Sequence, residues 1–169
     1  MKVLLVDDEP FILQGLSVLI DWAAEGCEIV KMASNGKEAL LYLEDHEADL
    51  VITDIKMPVM SGLELLEQIR GRQISDAFFI ILSGYNDFSY AQKAIRYACM
   101  DYLVKPVQKE ALLELIRKAK SSLAVTEQNA ENERRMQEMQ LKQYIIALLR
   151  GKQNEEELKY VKERLRLGD

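Results

Sequence analysis

The sequence predicts an α/β protein, an open doubly wound sheet of five parallel strands followed by a helical extension. Short apolar runs alternate with segments whose apolar residues recur every three or four positions, the order of a parallel sheet joined by crossover helices. The runs are continuously apolar rather than alternating, as strands buried on both faces require. Polar residues capable of chemistry end several of the runs.

Lys2 to Val6 is the first strand, closed by Asp7-Asp8-Glu9-Pro10. From Pro10 the spacing of Ile12, Leu13, Leu16, Leu19 and Ile20 is that of a helix face, and Pro at a helix start forfeits no hydrogen bond. A second strand runs from about Glu28 to Ala33. Ser34-Asn35-Gly36 then turns into a helix carrying Ala39, Leu40 and Leu43. Leu50-Val51-Ile52-Thr53 is the third strand and ends on Asp54. Leu63, Leu66 and Ile69 mark a helix stopping near Gly71. Phe78 to Leu82 is the fourth strand. A helix is expected from about Asp87 to Ala98, then a brief strand Tyr102-Leu103-Val104, and after Lys105-Pro106 a last helix from near Lys109. Right-handed crossovers leave few ways to connect such strands.

Composition is that of an ordinary globular chain: of 169 residues, 49% are apolar and 30% charged. No apolar run reaches the ~18–20 residues that span a bilayer, and acids follow Met1 too soon for a secretory signal. The expected address is the cytoplasm, without membrane contact. Cys27 and Cys99 fit no metal-ligand or redox spacing and read as packing residues. Met1 to Pro106 holds 9 Lys/Arg against 17 Asp/Glu, a net of −8, and the remainder is +2. An acidic first part without a basic stripe later argues against DNA binding by this chain alone. His46, the only histidine, falls far from the strand ends and is expected to have no chemical role.

In doubly wound sheets ligands bind beyond the carboxyl ends of the strands. That edge holds Asp7, Asp8, Asp54, Ser83 and Lys105. Three carboxylates so close repel unless something positive lies among them. Lys105 supplies one charge, and the rest invites a divalent cation. All-oxygen ligands favour Mg²⁺ or Mn²⁺ over zinc. The Ser83 hydroxyl and the Lys105 ammonium are donors suited to phosphoryl oxygens. A carboxylate nucleophile with these partners makes an aspartyl-phosphate site. A lone acid at a strand end is usually a cap or turn residue, and the five together are what point to chemistry.

Three stretches carry a resemblance: Leu4-Leu5-Val6-Asp7-Asp8-Glu9-Pro10; Val51-Ile52-Thr53-Asp54-Ile55-Lys56-Met57-Pro58 with Gly62; and Tyr102-Leu103-Val104-Lys105-Pro106. Over roughly Lys2 to Lys120 the chain resembles the receiver domains of two-component response regulators, which have a flavodoxin-like fold. The resemblance implies that Asp54 accepts a phosphoryl group from a phosphohistidine on a sensor histidine kinase. It implies that Asp8 binds Mg²⁺ directly and Asp7 through water, with Asp54 and the backbone carbonyl of Lys56 completing the site. Lys105 would pair with the phosphoryl group, and the Lys105–Pro106 bond would be cis. Ser83 stands at the switch hydroxyl and Tyr102 at the aromatic position that moves with it. Such a chain is a self-phosphorylating and self-dephosphorylating acceptor rather than an enzyme in the usual sense. The stretch Ser83-Gly84-Tyr85-Asn86-Asp87-Phe88-Ser89-Tyr90-Ala91 resembles receivers joined to AraC-type helix-turn-helix regulators. Gly84 either leaves room beside the phosphate or serves a turn. Ala98 departs from the family, which usually has Gly there. Lys56 and Tyr85 flank the site where phosphoryl lifetime would be tuned. Haloacid-dehalogenase-like phosphatases also use an Asp nucleophile, but on the first strand in a signature that Asp7-Asp8-Glu9 does not fit.

Residues 1–120 are thus expected to be the receiver, 121–150 a helical linker, and 151–169 the start of a further helical region. Leu112, Ile116, Ala119, Leu123, Thr126 and Ala130 keep a 4-3 spacing, a possible coiled-coil seam. Met136, Met139, Leu141, Ile145, Leu148 and Leu149 continue in another register, which a stutter permits. A single amphipathic helix with a solvated middle fits equally well. Gly151 breaks the pattern, and Asn154 with Glu155-Glu156-Glu157 reads as a new helix start. No recognition helix is present, so DNA would be reached only through an output domain outside this chain. The function expected is a phosphorylation switch that controls homodimerisation and an attached transcriptional output. The rival reading is a stand-alone receiver acting through protein contacts.

Overall fold

The structure is a computed structural model, and it describes residues 1–84 and 99–149, with side chains as far as residue 142. The helix expected near 87–98, Tyr85, Ala98 and the stretch 151–169 lie outside the described residues. The elements are β1 (Lys2–Val6), α1 (Pro10–Leu19), β2 (Glu28–Ala33), α2 (Gly36–Asp45), β3 (Leu50–Asp54), α3 (Gly62–Gly71), β4 (Phe78–Ser83), β5 (Asp101–Val104) and α4 (Lys109–Leu149). All strand pairings are parallel, in the order β2-β1-β3-β4-β5. The expected doubly wound five-stranded sheet is therefore present. Its order reverses between β1 and β3, the switch point where such sheets open a crevice.

Successive strand residues serve opposite faces. Val3, Leu5, Leu50, Ile52, Ile80 and Leu82 pack with Leu16 and Ile20 from the α1 region and Leu112, Ile116 and Ala119 of α4. Leu4, Val6, Val51 and Phe79 face the other way, against Ala39, Leu40 and Leu43 of α2 and Leu65, Leu66 and Ile69 of α3. Two cores, one on each face, explain why the strands read as unbroken apolar runs.

Local chemistry fixes the helix ends. Pro10 opens α1. The Asn35 side chain accepts from the Glu38 amide to cap α2, and Ser61 with Glu64 forms a capping box on α3. Beyond α3 the Ile74 amide donates to the Ile69 carbonyl (3.1 Å) and the Gln73 amide to the Arg70 carbonyl (3.3 Å). This is a Schellman cap, and it places Gln73 at φ +53°, where glycine is favoured.

The chain divides into two compact units, Met1–Ser122 and Leu123–Asp169. In the first, Leu112, Ile116 and Ala119 are fully buried in the sheet's own core. This corrects the expectation that they open a seam toward another chain: their 4-3 spacing is spent on the sheet. The Asp101 carboxylate at the start of β5 accepts from the Tyr102 amide (2.9 Å) and from the Lys118 ammonium of α4 (2.6 Å). In the second unit the described part of α4 exposes Val125, Met136 and Met139. Their separations are close to whole helical turns, so they share one stripe.

Candidate functional site

The site forms where β1, β3, β4 and β5 end side by side. The register pairs Val6 with Thr53, Asp54 with Leu82, and Ser83 with Val104. Parallel strands in this register deliver Asp7, Asp54, Ser83 and Lys105 to one edge. Asp7 is fully buried: one carboxylate oxygen accepts from the Glu9 amide (2.9 Å) and the other from the Lys105 ammonium (2.8 Å). Asp54 is 8% exposed, and Lys105 Nζ lies 3.1 Å from its Oδ1. Asp8 faces solvent. Carboxylate oxygens of Asp7, Asp8 and Asp54 all lie within 4.8 Å of one another.

Burial pushes the Asp54 carboxyl above its usual range, although the hydrogen bond and charge of Lys105 pull the other way. At Lys105 burial works against the charged form, but ion pairing with Asp7 and Asp54 outweighs it and raises the ammonium. Lys105 by itself cannot balance the three carboxylates, whose ligand atoms are all oxygen. These residues fit a small hard divalent cation.

Ser83 is fully buried; its hydroxyl donates to the Gly84 carbonyl (2.9 Å) and accepts from the Tyr102 hydroxyl. The two expected switch residues are thus in direct contact. The Lys105 amide donates to the Ser83 carbonyl (2.7 Å), and the Lys105–Pro106 bond is cis, as the resemblance implies. Among the described residues a Cβ on Gly84 would meet nothing within 4 Å. Lys56 is exposed on the loop after β3, two residues beyond Asp54. His46 lies apart, capping the far end of α2 and stacking on Tyr42.

Two supports escaped the sequence reading. The Thr53 hydroxyl donates to the Asp54 carbonyl (3.0 Å), and a Cβ on Gly62 would overlap that carbonyl oxygen. The Gly36 amide donates to the Met60 carbonyl (3.0 Å) of the same loop. Thr53 read only as a strand residue, and Gly36 only as a turn. Beside Lys105 runs an apolar groove of about 220 Å³, walled by α1 (Phe11, Ile12, Leu16, Leu19) and by Pro106 and Val107. Among the described residues no helix is long and apolar enough to cross a membrane.

Comparison with known proteins gives a consistent result. The family described as response regulator receiver domain matches residues 3–117. The transcriptional regulatory protein YesN of Bacillus subtilis is 39% identical over 112 residues, covering 66% of this chain and 30% of the relative. The transcriptional regulatory protein HptR of Staphylococcus aureus is 42% identical over 115 residues, covering 68% of this chain and 44% of the relative. The chain therefore spans less than half the length of either. Among solved structures, the receiver domain of AraT, a response regulator from Geobacillus stearothermophilus, superposes with a TM-score of 0.69 at 39% identity. That match covers 75% of this chain and 97% of the other. A two-component AraC regulator from Clostridium phytofermentans gives 0.67 at 28% identity, covering 73% and 95%.

Proposed function

The chain belongs to the response regulator receiver domain family, and from that premise we propose that Asp54 accepts a phosphoryl group from a phosphohistidine on a sensor histidine kinase. The carrying observation is the placement of Lys105, whose ammonium reaches Asp7 and Asp54 while Asp8 completes the acidic cluster. In the transfer the Asp54 carboxylate forms the new P–O bond as the P–N bond to the donor imidazole breaks. The imidazole nitrogen then takes up a proton. The nucleophile must be ionised, so Lys105 offsets the burial that would otherwise protonate it. In the product Lys105 pairs with the phosphoryl oxygens.

Asp8, Asp54 and the Lys56 carbonyl would hold Mg²⁺ or Mn²⁺ directly, with Asp7 acting through water. When bound, the ion neutralises charge on the phosphoryl oxygens. Donor docking is supported by the groove beside Lys105 and by Phe11, which stands 86% exposed at its edge. Burying that phenyl ring under a partner would contribute about 1.5–3 kcal/mol.

The phosphoryl group carries about −1.5 to −2 charges where the ionised Asp54 carried one, so the site gains up to about one negative charge, one strand from Ser83 and two from its partner Tyr102. That local change biases a two-state element and controls pairing with a second copy and an attached transcriptional output. The apolar stripe Val125, Met136 and Met139 supports pairing through the linker over 121–150. Acetyl phosphate with Mg²⁺ should add one phosphoryl group, detected by mass spectrometry, and Asp54→Asn should abolish it. Undiminished labelling of that variant would place the acceptor elsewhere.

A further inference from the structure

We propose that Gly36, the first residue of α2, is a positioning residue for the metal site: it holds the loop between Asp54 and Gly62, and with it the Lys56 carbonyl, in register with the acidic cluster. This rests on the metal-assisted reading above. The loop Ile55–Ser61 is tied at its base, where the Gly62 amide donates to the Ile55 carbonyl (3.1 Å) and the Ile55 amide to the Leu82 carbonyl (3.1 Å). On its far side the Gly36 amide donates to the Met60 carbonyl (3.0 Å), and the Met57 and Met60 side chains pack against the core beneath α2 and α3. The amide of a first helical residue has no acceptor within its own helix, so it is available for this role.

The approach leaves no room for a side chain. A Cβ on Gly36 would lie 2.7 Å from the Met60 carbonyl oxygen, 2.8 Å from Met60 Cγ and 3.0 Å from the Ser61 carbonyl oxygen. Two of the three are backbone atoms, which yield only if the loop moves. Next to this clamp the loop tip is strained. Val59 has φ +71°, and the Met60 amide donates across it to the Pro58 carbonyl (2.8 Å). That is a γ-turn of the rarer, positive-φ kind, at a β-branched residue that rarely adopts it. Val59 is also 82% exposed, so burial does not compensate. Strain of this sort persists only where the surroundings fix it. Lys56 lies between the tied base and the strained tip, so releasing the clamp shifts it.

The test is Mg²⁺ titration by calorimetry of the whole chain carrying Gly36→Ala, with backbone amide spectra of the metal-free protein. The expected result is Mg²⁺ affinity weaker by on the order of tenfold, as when an orienting group behind a metal ligand is lost. The amide signals of Lys56 and Met57 should be displaced before any metal is added. Ala39→Gly weakens the same helix without adding an atom against the loop, and should leave both readouts at parental values. Gly36→Ala with Val59→Gly lets the tip yield, so thermal stability should recover toward the parent while affinity stays weak. This second variant also serves if Gly36→Ala alone does not fold. Parental affinity and unmoved amides in a folded variant would overturn the proposal. If the unaltered chain binds no Mg²⁺, the metal reading fails on its own. The amide positions then decide the clamp, displaced signals supporting it and unmoved ones refuting it.

Discussion

Replacing Lys105 by methionine, which keeps the stem and removes the charge, tests the electrostatics of the site directly. The ammonium lies 2.8 Å from a fully buried Asp7 and 3.1 Å from an Asp54 carboxylate whose side chain is 11% exposed. Removing one partner of a buried ion pair costs about 3–5 kcal/mol, because the remaining charge is left without compensation. Lys105 is itself 21% exposed, which favours the lower end, about 3 kcal/mol. For a unit of this size that corresponds to a fall in Tm of roughly 10 °C. The pH dependence has a definite sign. The folded pKa of Asp54 already lies above its ordinary value of 3.8, and losing Lys105 raises it further. A raised carboxyl makes the folded state bind protons more readily than the unfolded one, so stability falls as pH rises through the folded pKa. The loss caused by Lys105→Met should therefore be smaller at pH 5 than at pH 7.5. Mg²⁺ at a hundredfold excess over its Kd should return about 2.7 kcal/mol. Urea unfolding followed by circular dichroism at both pH values, with and without Mg²⁺, measures all of this. An equal loss at both pH values that Mg²⁺ does not relieve would refute the reasoning.

Two further outcomes follow from the geometry. Gln73→Gly should raise stability by about 0.5–1 kcal/mol, since the Schellman cap holds this residue at positive φ; an unchanged urea midpoint would count against it. Beryllofluoride, a mimic of the phosphoryl group, should tighten a dimer seen by sedimentation, and Met136→Glu with Met139→Glu should weaken that dimer without unfolding the chain. A monomer in every case would remove the apolar stripe of α4 as a pairing surface.

The sheet was legible because both its faces are covered. Lys2–Val6 and Leu50–Asp54 could be read to within a residue, since each is a nearly unbroken apolar run up to the edge. The placement of Asp7, Asp54, Ser83 and Lys105 followed from the rule that strands in a parallel sheet end together. Gly36 could not be read, because its neighbour Met60 comes from a loop beyond β3 and only folding brings them together. Leu112, Ile116 and Ala119 misled for another reason. A 4-3 spacing states that a helix has an apolar face, but not whether that face meets its own sheet or a second chain. Only burial separates the two, and here it runs along the stripe from Leu112 as far as Ala119.

The two cores on opposite faces of the sheet also bear on how such a chain can change length during evolution. Leu4 and Leu5 serve different cores, so one residue inserted within β1 would exchange every side chain beyond it between faces. It would also carry Asp7 one step off the edge it shares with Asp54. The same holds for β3. Changes in length would disturb the site least in the exposed parts of connections such as residues 21–27 and 72–77, which precede β2 and β4 and lie at the end of the sheet away from the chemistry. Drift in length on that side leaves the spacing among Asp7, Asp54 and Lys105 untouched, because each strand is counted from its fixed apolar frame toward the edge, not from the loop behind it.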